Sequence, residues 1–258
     1  MGRAQGGEED VRADRPLGAP VDGWRPAPLP PADLTLTGRT VRLRPLEVDT
    51  DAGPLFEQMQ GHPWLFDYLF EPPPARVEDL AAALRVWTEG PHHAFAILPS
   101  GDPVPAGYAC LMNAVPAHGD IEIGNVNLSP ALQGTTAATE AFFQMIDWAI
   151  DAGYRRVCWK CNALNAPSRR AAQRLGFSFE GVFRNHLIVK GRNRDTAWFA
   201  LTDADWTDLR PVFASWLSPS NFTPEGIAKT SLASRTKPLL VRLDPEGTRP
   251  DIDGAGGS

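Results

Sequence analysis

The chain is poor in the residues that build disulfide frameworks and metal sites. Its 258 residues include three cysteines and five histidines. Three cysteines cannot form a network of disulfides, and reduced thiols are typical of cytoplasmic proteins. The histidines are scattered without the spacing of metal ligands. We therefore expect a cytoplasmic protein that uses no metal.

Long apolar runs and dense positive charge are also missing from the sequence. No stretch has the apolar length of a membrane span, and the acidic N-terminus lacks the apolar segment of a signal peptide. The formal net charge is -6 and no basic block dominates, which argues against general nucleic-acid binding. We expect neither DNA nor a membrane as a partner. The hydrophobic content of 43% is enough for one substantial core.

Two of the cysteines, Cys158 and Cys161, have the Cys-x-x-Cys spacing of zinc or redox sites. No second pair of ligands accompanies them. Residues 157–162 also read as a strand, in which side chains three positions apart point to opposite faces. We interpret the pair as part of that strand.

Composition divides the chain into three parts. Residues 1–33 are rich in glycine, proline and mixed charge without apolar periodicity, which predicts a disordered N-terminal arm. Residues 34–218 carry the strand and helix patterns of one domain. Residues 219–258 form an extension with a modest basic stretch, predicted to be partly ordered with a flexible end.

The domain alternates strand-like and helix-like segments. We predict helices at 49–60, 77–88, 137–151 and 166–175, from their apolar spacing and caps. Strands are predicted at 40–45, 93–98, 106–114, 121–128, 157–162, 177–189 and 196–201. The first helix is followed by an aromatic loop, 63–70, and the turn between the last two strands is predicted at 190–195.

Small residues occupy the junction between the strand that ends near Leu128 and the long helix after it. They are Gln133, Gly134, Thr135, Thr136, Ala137 and Ala138. Such a junction offers unpaired backbone N–H groups and the positive end of a helix dipole, which suit a phosphate or pyrophosphate. A plain helix start capped by Thr135 or Thr136 is the alternative.

A second motif follows this junction. Residues 162–172 read Asn-Ala-Leu-Asn-Ala-Pro-Ser-Arg-Arg-Ala-Ala, and Leu175-Gly176-Phe177, Glu180-Gly181, Arg194-Asp195-Thr196 and Trp206 come after them. Together with the junction, this order resembles the GNAT acyltransferases over roughly residues 34–216, and within them the RimJ/RimL-like N-acetyltransferases. The resemblance implies a GNAT fold of the α/β (α+β) class. Its sheet would be mixed, mostly antiparallel and splayed, with about seven strands flanked by helices.

The resemblance also implies a slot for the pantetheine arm of an acyl thioester, between strands that separate near Val126 and Trp159. Backbone groups of one strand would pair with the pantetheine amides, the small-residue turn would hold the pyrophosphate, and an arginine would reach the distal phosphate. The residues implied to hold the donor are Val126, Asn127, Leu128, Gln133, Gly134, Thr135, Thr136, Ala137, Ala138, Asn165, and Arg169 or Arg170.

Acyl transfer to an amine needs a base for the attacking nitrogen and an acid for the leaving thiolate. Glu122 is the candidate base, because a lone carboxylate in an apolar strand is costly to bury unless it is catalytic or paired. An ion pair with Arg156 or Lys160 is the alternative. Ser168 is the candidate acid, because in RimL-like members this serine of the Asn-x-x-Ser motif faces the thioester sulfur. An ordinary hydroxyl at a helix start is its alternative.

Two positions depart from the family's turn, Gln/Arg-x-x-Gly-x-Gly/Ala. Thr136 replaces the central glycine, and Gly134 stands where close relatives carry an arginine suited to phosphate. Because this cation is missing, the sequence is compatible with several acyl donors. Acetyl-CoA or another acyl-CoA is the leading hypothesis, and an acyl group on the phosphopantetheine of a carrier protein, as in natural-product biosynthesis, is the main alternative. Aminoacyl-tRNA is a further one.

Aromatic and basic residues near the slot are candidates for binding the acceptor. They are Trp64, Phe66, Asp67, Tyr68, Arg184, His186, Arg192 and Arg194. The arginines suit a carboxylate or phosphate on the acceptor, with solvated hairpin charge as the alternative. For the aromatic loop the alternative is a hydrophobic plug over the core.

The expected activity is N-acyl transfer: an acyl group, in the first place acetyl, passes to an amine of a small molecule or peptide. A non-catalytic module that binds an acyl thioester is the alternative from another class. The sequence leaves a monomer and a homodimer equally open.

Overall fold

The computed structural model describes residues 16–246. Its strands are β1 (Leu36–Thr37), β2 (Val41–Pro45), β3 (His93–Pro99), β4 (Gly107–Val115), β5 (Asp120–Leu128), β6 (Arg156–Asn162), β7 (Ser178–Val189) and β8 (Arg192–Thr202). Its α-helices are α1 (Val48–Met59), α2 (Val77–Thr88), α3 (Thr136–Asp151), α4 (Ala166–Arg174), α5 (Asp203–Leu217) and α6 (Leu232–Thr236).

The described strands form one eight-stranded sheet in the order β1-β2-β3-β4-β5-β6-β8-β7. Neighbouring strands are antiparallel except β5 and β6, which are parallel and connected through α3. This confirms the predicted mixed, mostly antiparallel sheet flanked by helices. The strand beyond the predicted seven is β1, whose two residues are too few to leave a pattern in the sequence.

Apolar side chains cover both faces of the sheet. In β3, Phe95 and Ile97 pack into the larger core with α3, α4 and α5, whereas Ala94, Ala96 and Leu98 pack into a second core with α1 and α2. Successive residues of a strand point to opposite faces, so a strand that is covered on both sides reads as a continuous apolar run. This explains the continuous apolar run from Ala94 to Leu98 in β3.

Helix α5 is absent from the sequence prediction. It begins with a capping box in which Thr202 and Asp205 satisfy each other's backbone N–H groups. Trp206, Leu209 and Phe213 then pack into the larger core. The acidic start and the internal Pro211 hide this helix in the sequence.

The N-terminal arm is ordered over part of its length, so the prediction of a disordered segment up to residue 33 is wrong there. The indole N–H of Trp24 donates to the Ala117 carbonyl at 3.1 Å, and the Tyr154 hydroxyl donates to the Pro28 carbonyl at 2.8 Å. Ala27 is buried in the larger core. These anchors are single residues in extended chain, which leave no periodic pattern. Residues 1–15 lie outside the described part of the chain.

The turn between β7 and β8 is shorter than predicted. Lys190 and Gly191 alone form it, with φ of 50° and 72°, so Arg192 to Asp195 belong to β8. A two-residue hairpin with both central residues at positive φ matches the twist of the strands. Arg194 therefore lies on a strand instead of in a loop.

The C-terminal extension folds back on α4 over residues 219–246. The guanidinium of Arg169 contacts the Asp244 carboxylate at 2.5 Å, and their side chains are 3% and 0% exposed. The same guanidinium contacts Glu246, which is 62% exposed, at 2.5 Å. The buried ion pair thus attaches the extension to the domain. The predicted flexible end, from residue 247, lies outside the described residues.

The three cysteines are free and buried. Burial raises the pKa of Cys110 and Cys158 to about 12 and that of Cys161 to about 11. Cys158 contacts Asp120 and Cys161 packs in the larger core, as expected for residues three positions apart in a strand. The interpretation of this pair as part of a strand agrees with these positions.

We expect the free energy of unfolding to decrease as the pH rises above about 9. The three thiols keep their protons in the folded state at a pH where exposed thiols, with pKa near 9.0, ionise. Above pH 9 the unfolded state therefore binds fewer protons than the folded state. The contribution of the three protonated thiols to the free energy of unfolding is complete below pH 9 and is lost toward pH 12. Urea denaturation between pH 7.5 and 10.5 measures it. The decrease should be smaller in Cys110→Ala, and an identical decrease in that variant would contradict the assignment.

Substitution of Asp244 by alanine should destabilise the protein by about 3 kcal/mol, because it leaves the Arg169 charge buried without its partner. Glu246→Ala removes an exposed partner of the same arginine and should cost less than about 1 kcal/mol. Urea denaturation of both variants gives the comparison. Limited proteolysis should cut the extension faster in Asp244→Ala. If the two substitutions lowered the free energy of unfolding equally, burial would not explain the strength of the Arg169–Asp244 pair.

Candidate functional site

Strands β5 and β6 separate partway along their length. They are paired from Asp120 opposite Arg156 to Ile123 opposite Trp159, and beyond that point β5 continues to Leu128 without a partner in β6. On its other side β6 stays paired with β8 through Asn162. The separation leaves main-chain groups of β5 on the β6 side without a strand partner, where an extended ligand can pair with them.

A bulge in β5 lies at the separation. Gly124 is opposite Cys110 and Asn127 is opposite Tyr108, so Asn125 and Val126 together oppose a single residue of β4. Asn125 has a φ of 47°, in the left-handed region that asparagine tolerates better than most residues. A bulge bends its strand and increases its twist, which turns β5 away from β6.

Three adjoining cavities follow the opening. The first cavity, of about 230 Å³, lies between β5, β6 and β8 and is lined by Glu122, Lys160 and Arg194 among others. The second, of about 440 Å³, extends from Val126 to Gly134. The third, of about 610 Å³, lies between α4 and the C-terminal extension. Asn165 and Ser168 line both the first and the second, and Gly134 and Pro167 line both the second and the third.

Glu122 lies in the wall of the first cavity and is 7% exposed. Its Oε2 contacts Lys160 Nζ at 2.6 Å and accepts a hydrogen bond from Asn113 Nδ2 at 2.8 Å. The structure therefore contains the Lys160 ion pair that the sequence offered as the alternative. Arg156, the other partner considered, pairs with Asp120 and Glu180 instead. The carboxylate is both paired and placed in the cavity, so the ion pair does not exclude a chemical role.

Ser168 lies in the first turn of α4, where the first two cavities meet. Asn165 caps this helix by accepting a hydrogen bond from the Ser168 backbone N–H at 3.1 Å. The indole N–H of Trp159 donates to Ser168 Oγ at 2.9 Å. Because an external donor already serves this oxygen, the hydroxyl proton can be donated to a group in the cavity.

The small-residue junction is a capped helix start. Thr135 is the N-cap of α3 and accepts from the Ala138 N–H at 3.1 Å, which is the alternative that the sequence left open. Among the described residues, none accepts a hydrogen bond from the backbone N–H of Thr136 or Ala137. These donors and the helix dipole are what an anionic group needs. The cap therefore does not exclude a phosphate at this position.

Gly134 has a φ of 71° and open space around its Cα. A side chain at this position would be strained by the backbone, and none supplies charge here. Three cations instead line the third cavity, which also includes Gly134: Arg170, Arg174 and Lys237. Lys237 comes from the C-terminal extension, which the sequence did not associate with the site.

Arg169, one of the two arginines predicted to hold a distal phosphate, is 2% exposed and engaged by Asp244 and Glu246. It also donates to the Ala163 carbonyl at 2.7 Å. That prediction is wrong for Arg169, because adjacent residues of a helix point in different directions and its side chain points into the protein. The other candidate, Arg170, lines the third cavity.

The residues predicted to bind the acceptor fall into four groups. Tyr68, His186 and Arg194 line the first cavity, and Trp64 and Asp67 line the second. Phe66 is 2% exposed in the second core, so for this residue the hydrophobic plug is the correct interpretation. Arg184 and Arg192 are exposed on the hairpin and line none of the cavities described above.

The tertiary structure adds residues that sequence reasoning missed. Lys190 Nζ, at the hairpin tip, donates to the carbonyls of Phe66 at 2.6 Å and Asp67 at 3.2 Å. The hairpin is thereby joined to the aromatic loop over the first cavity. Asn113 and Trp159 complete the hydrogen bonds of Glu122 and Ser168. No local pattern in the sequence marks these three residues, since each contact joins distant segments.

Within residues 16–246, no cluster of three or more histidine, cysteine or acidic side chains is arranged to hold a metal ion. No helix of that part combines the length and the apolar character needed to cross a membrane.

Comparison with known proteins identifies the family. Residues 40–178 match the family model of the acetyltransferase (GNAT) domain, which is more than half of the 258 residues. No curated protein matches the chain. A GCN5-related N-acetyltransferase from Brucella melitensis has 39% identity and a TM-score of 0.80, over 84% of this chain and 99% of its own. A probable GNAT-family acetyltransferase from Chromobacterium violaceum has 34% identity and a TM-score of 0.72, over 75% of this chain and 98% of its own.

A more distant likeness concerns the fold alone. RimL, described as a ribosomal L7/L12 alpha-N-protein acetyltransferase, has 19% identity and a TM-score of 0.57, over 66% of this chain and 94% of its own. The GNAT fold that the resemblance implied is confirmed by the family model and by the Brucella melitensis structure. The chain is an N-acyltransferase enzyme and belongs to the GNAT family of acetyltransferases.

Proposed function

We propose that the enzyme transfers an acyl group, in the first place acetyl, from acyl-CoA to the amine of a small molecule, by direct attack of the amine on the thioester. One observation carries the proposal. Three adjoining cavities pass through the parted strands, with a carboxylate at one end, a serine at the first junction and three cations at the other end. Acyl-CoA, when bound, supplies the activated thioester.

The charges of the third cavity support coenzyme A over a carrier protein as the donor. A carrier-bound pantetheine has no adenine nucleotide, whereas coenzyme A ends in a phosphorylated one. Arg174 and Lys237 line the third cavity, beyond the turn at Gly134. Ser168 lines the first and second cavities, so cations in the third cavity suit the nucleotide end of coenzyme A. They also compensate for the arginine that is missing from the turn.

Residues of the second cavity suit the pantetheine arm. Val126, Asn127 and Leu128 line it along the unpaired edge of β5. Asn127 is 2% exposed and its Oδ1 has no hydrogen-bond partner among the described residues. A buried acceptor without a partner is costly unless a ligand donates to it. Amides of the pantetheine arm are donors of the required kind.

Glu122 is proposed as the base. Its Oε2 is occupied by Lys160 and Asn113, whereas no described residue contacts its Oε1 by a hydrogen bond. That oxygen can accept a proton from the acceptor amine, directly or through a water. Lys160 and Asn113 hold the other oxygen and thereby fix the orientation of the carboxylate.

Ser168 is proposed to donate a hydrogen bond to the departing sulfur. The Trp159 indole orients its oxygen, and the hydroxyl lies at the junction where the thioester end of a donor in the second cavity would reach the first. A hydroxyl is a weak acid, so its contribution is stabilisation of the thiolate rather than a complete proton transfer.

The size and roof of the first cavity favour a small acceptor. Its volume is about 230 Å³, and the Lys190 contacts join the hairpin to the aromatic loop above it. A protein N-terminus, the acceptor named for RimL, would have to displace this roof. We therefore propose a small-molecule amine for this chain.

Glu122→Gln should lower kcat with a good amine acceptor by about 100-fold or more, because general-base catalysis contributes on that order. Ser168→Ala should lower it by about 10-fold, the value of one hydrogen bond to a developing charge. Turnover is followed as thiol release from acetyl-CoA. Calorimetry with coenzyme A should show unchanged affinity in both variants.

Glu57→Gln, at an exposed position of α1, is the matched control and should match the wild type. Full turnover in both Glu122→Gln and Ser168→Ala would refute the catalytic assignment. A non-catalytic module would bind acetyl-CoA but would release no thiol, whichever amine is added.

Lys237→Met should weaken coenzyme A binding by about fivefold while leaving 4′-phosphopantetheine unaffected, because one charge-assisted contact of an exposed lysine is worth about 1 kcal/mol. Calorimetry measures both ligands. Lys229→Met, on the same extension but outside the cavity, is the control. If an acylated carrier protein binds more tightly than coenzyme A, or aminoacyl-tRNA alone supports turnover, the donor assignment is wrong.

A further inference from the structure

Arg194 is a cation that the fold buries. It lies on β8 in the wall of the first cavity and is 8% exposed. Among the described residues, none makes a hydrogen bond or an ion pair with its guanidinium, and its Nε is enclosed. Its contact is with the face of Phe70, 4.8 Å from the ring centroid. Burial lowers the pKa of this arginine, which nevertheless stays charged at neutral pH.

The first cavity does not neutralise this charge. Glu122 is the one carboxylate among the described residues that line it, and that group is already in contact with Lys160 at 2.6 Å and Asn113 at 2.8 Å. The Glu122–Lys160 pair is neutral as a unit, so Arg194 leaves one positive charge in excess. A buried charge of this kind is costly unless an anion joins it.

The phosphates of the donor cannot supply that anion. Arg194 lines the first cavity only, whereas the capped start of α3 borders the second cavity and the cations Arg174 and Lys237 line the third. The anion must therefore belong to the molecule that occupies the first cavity together with the amine.

We propose that the acceptor is a small amine that carries a carboxylate, which Arg194 binds while the amine faces Glu122. The proposal rests on the proposed function, since it identifies the acceptor of that reaction. One carboxylate balances the single excess charge, whereas a phosphate would bring a second negative charge beside Glu122. The planar guanidinium matches a carboxylate with two parallel hydrogen bonds. Tyr68, Phe70, Trp87 and Met112 give the acceptor's body an apolar, largely aromatic surface.

Paired substrates test the carboxylate directly. Phenylalanine, 3-amino-3-phenylpropanoate and 4-aminobutanoate would each be compared with the corresponding amide, and phosphoethanolamine would represent a phosphorylated amine. The wild-type enzyme should use the best acid at least about 10-fold better, in kcat/KM, than its amide, because a charge-assisted bidentate contact is worth that much or more. An amide used as well as its acid, or a preference for phosphoethanolamine, would overturn the proposal.

Arg194→Met separates the contact from the rest of the site. It should lower kcat/KM for the acid about 100-fold, mainly through KM, and change the value for the amide by less than about threefold. Arg194→Lys should restore part of the loss. Arg192→Met, the exposed arginine two residues earlier on β8, is the matched control and should behave as the wild type. An equal loss for acid and amide would mean that Arg194 only supports the fold.

If no amine in the panel is a substrate, binding measurements test the contact between Arg194 and the carboxylate. Calorimetry on the coenzyme A complex would compare 3-phenylpropionate with 3-phenylpropionamide. Tighter binding of the acid that is lost in Arg194→Met, but not in Arg192→Met, supports the proposal, and equal binding of both overturns it. Failure of coenzyme A to bind would refute the proposed donor instead. Arg194→Met should unfold at the same urea concentration as the wild type or a higher one, because it removes a buried charge without a partner.

Discussion

The hydrogen bonds that β5 and β6 do not make determine the rest of the site. The two strands run parallel and paired as far as Ile123 and Trp159, and the bulge at Asn125 then turns β5 away. An unpaired strand edge inside a protein is costly, because its N–H and C=O groups need partners. In the proposed function, an extended ligand with its own amides takes the place of the missing strand and offsets this cost. Glu122, Asn127 and Ser168 line the two cavities at the opening that results.

Three buried charged side chains differ in how far other residues of the protein neutralise them. Arg169 is enclosed with Asp244 and joins the C-terminal extension to the domain. Glu122 is paired with Lys160 but keeps one oxygen toward the cavity. Arg194 is buried about as deeply as Glu122 and forms no ion pair with any residue from 16 to 246. Because a buried charge is costly without compensation, Arg194 is the group that we propose a ligand completes.

The positive charges near the turn at Gly134 come from neighbouring elements and not from the turn itself. The positive φ of Gly134 and the cap at Thr135 show a turn whose backbone is well defined and which carries no charge of its own. The cations lie one cavity farther along, on α4 and on the C-terminal extension. The C-terminal extension thus contributes a cation to this cavity, which links that segment to the proposed binding of the donor.

The order of most helices and strands can be read from the sequence, since apolar periodicity and caps depend on residues close together in the chain. Helix α2 and the bounds of β6 follow from such local patterns, and Glu122 and Ser168 were identified because one is a charge in an apolar strand and the other lies in a family motif. Local signals failed where the deciding contact was distant. Trp24 and Ala27 dock a segment that has no periodicity, and α5 is held by packing that its acidic start conceals.

Which side of each element faces the site depends on contacts between segments that are distant in the chain. Arg169 and Arg170 are neighbours in the chain, yet one is buried against Asp244 and the other lines a cavity. Arg192 and Arg194 looked equivalent in a predicted turn, and the two-residue hairpin at Lys190 placed both on a strand with only Arg194 enclosed. The physical reason is that the sequence specifies which charges exist, whereas burial and the distance to a counter-charge depend on how β5, β6 and β8 meet.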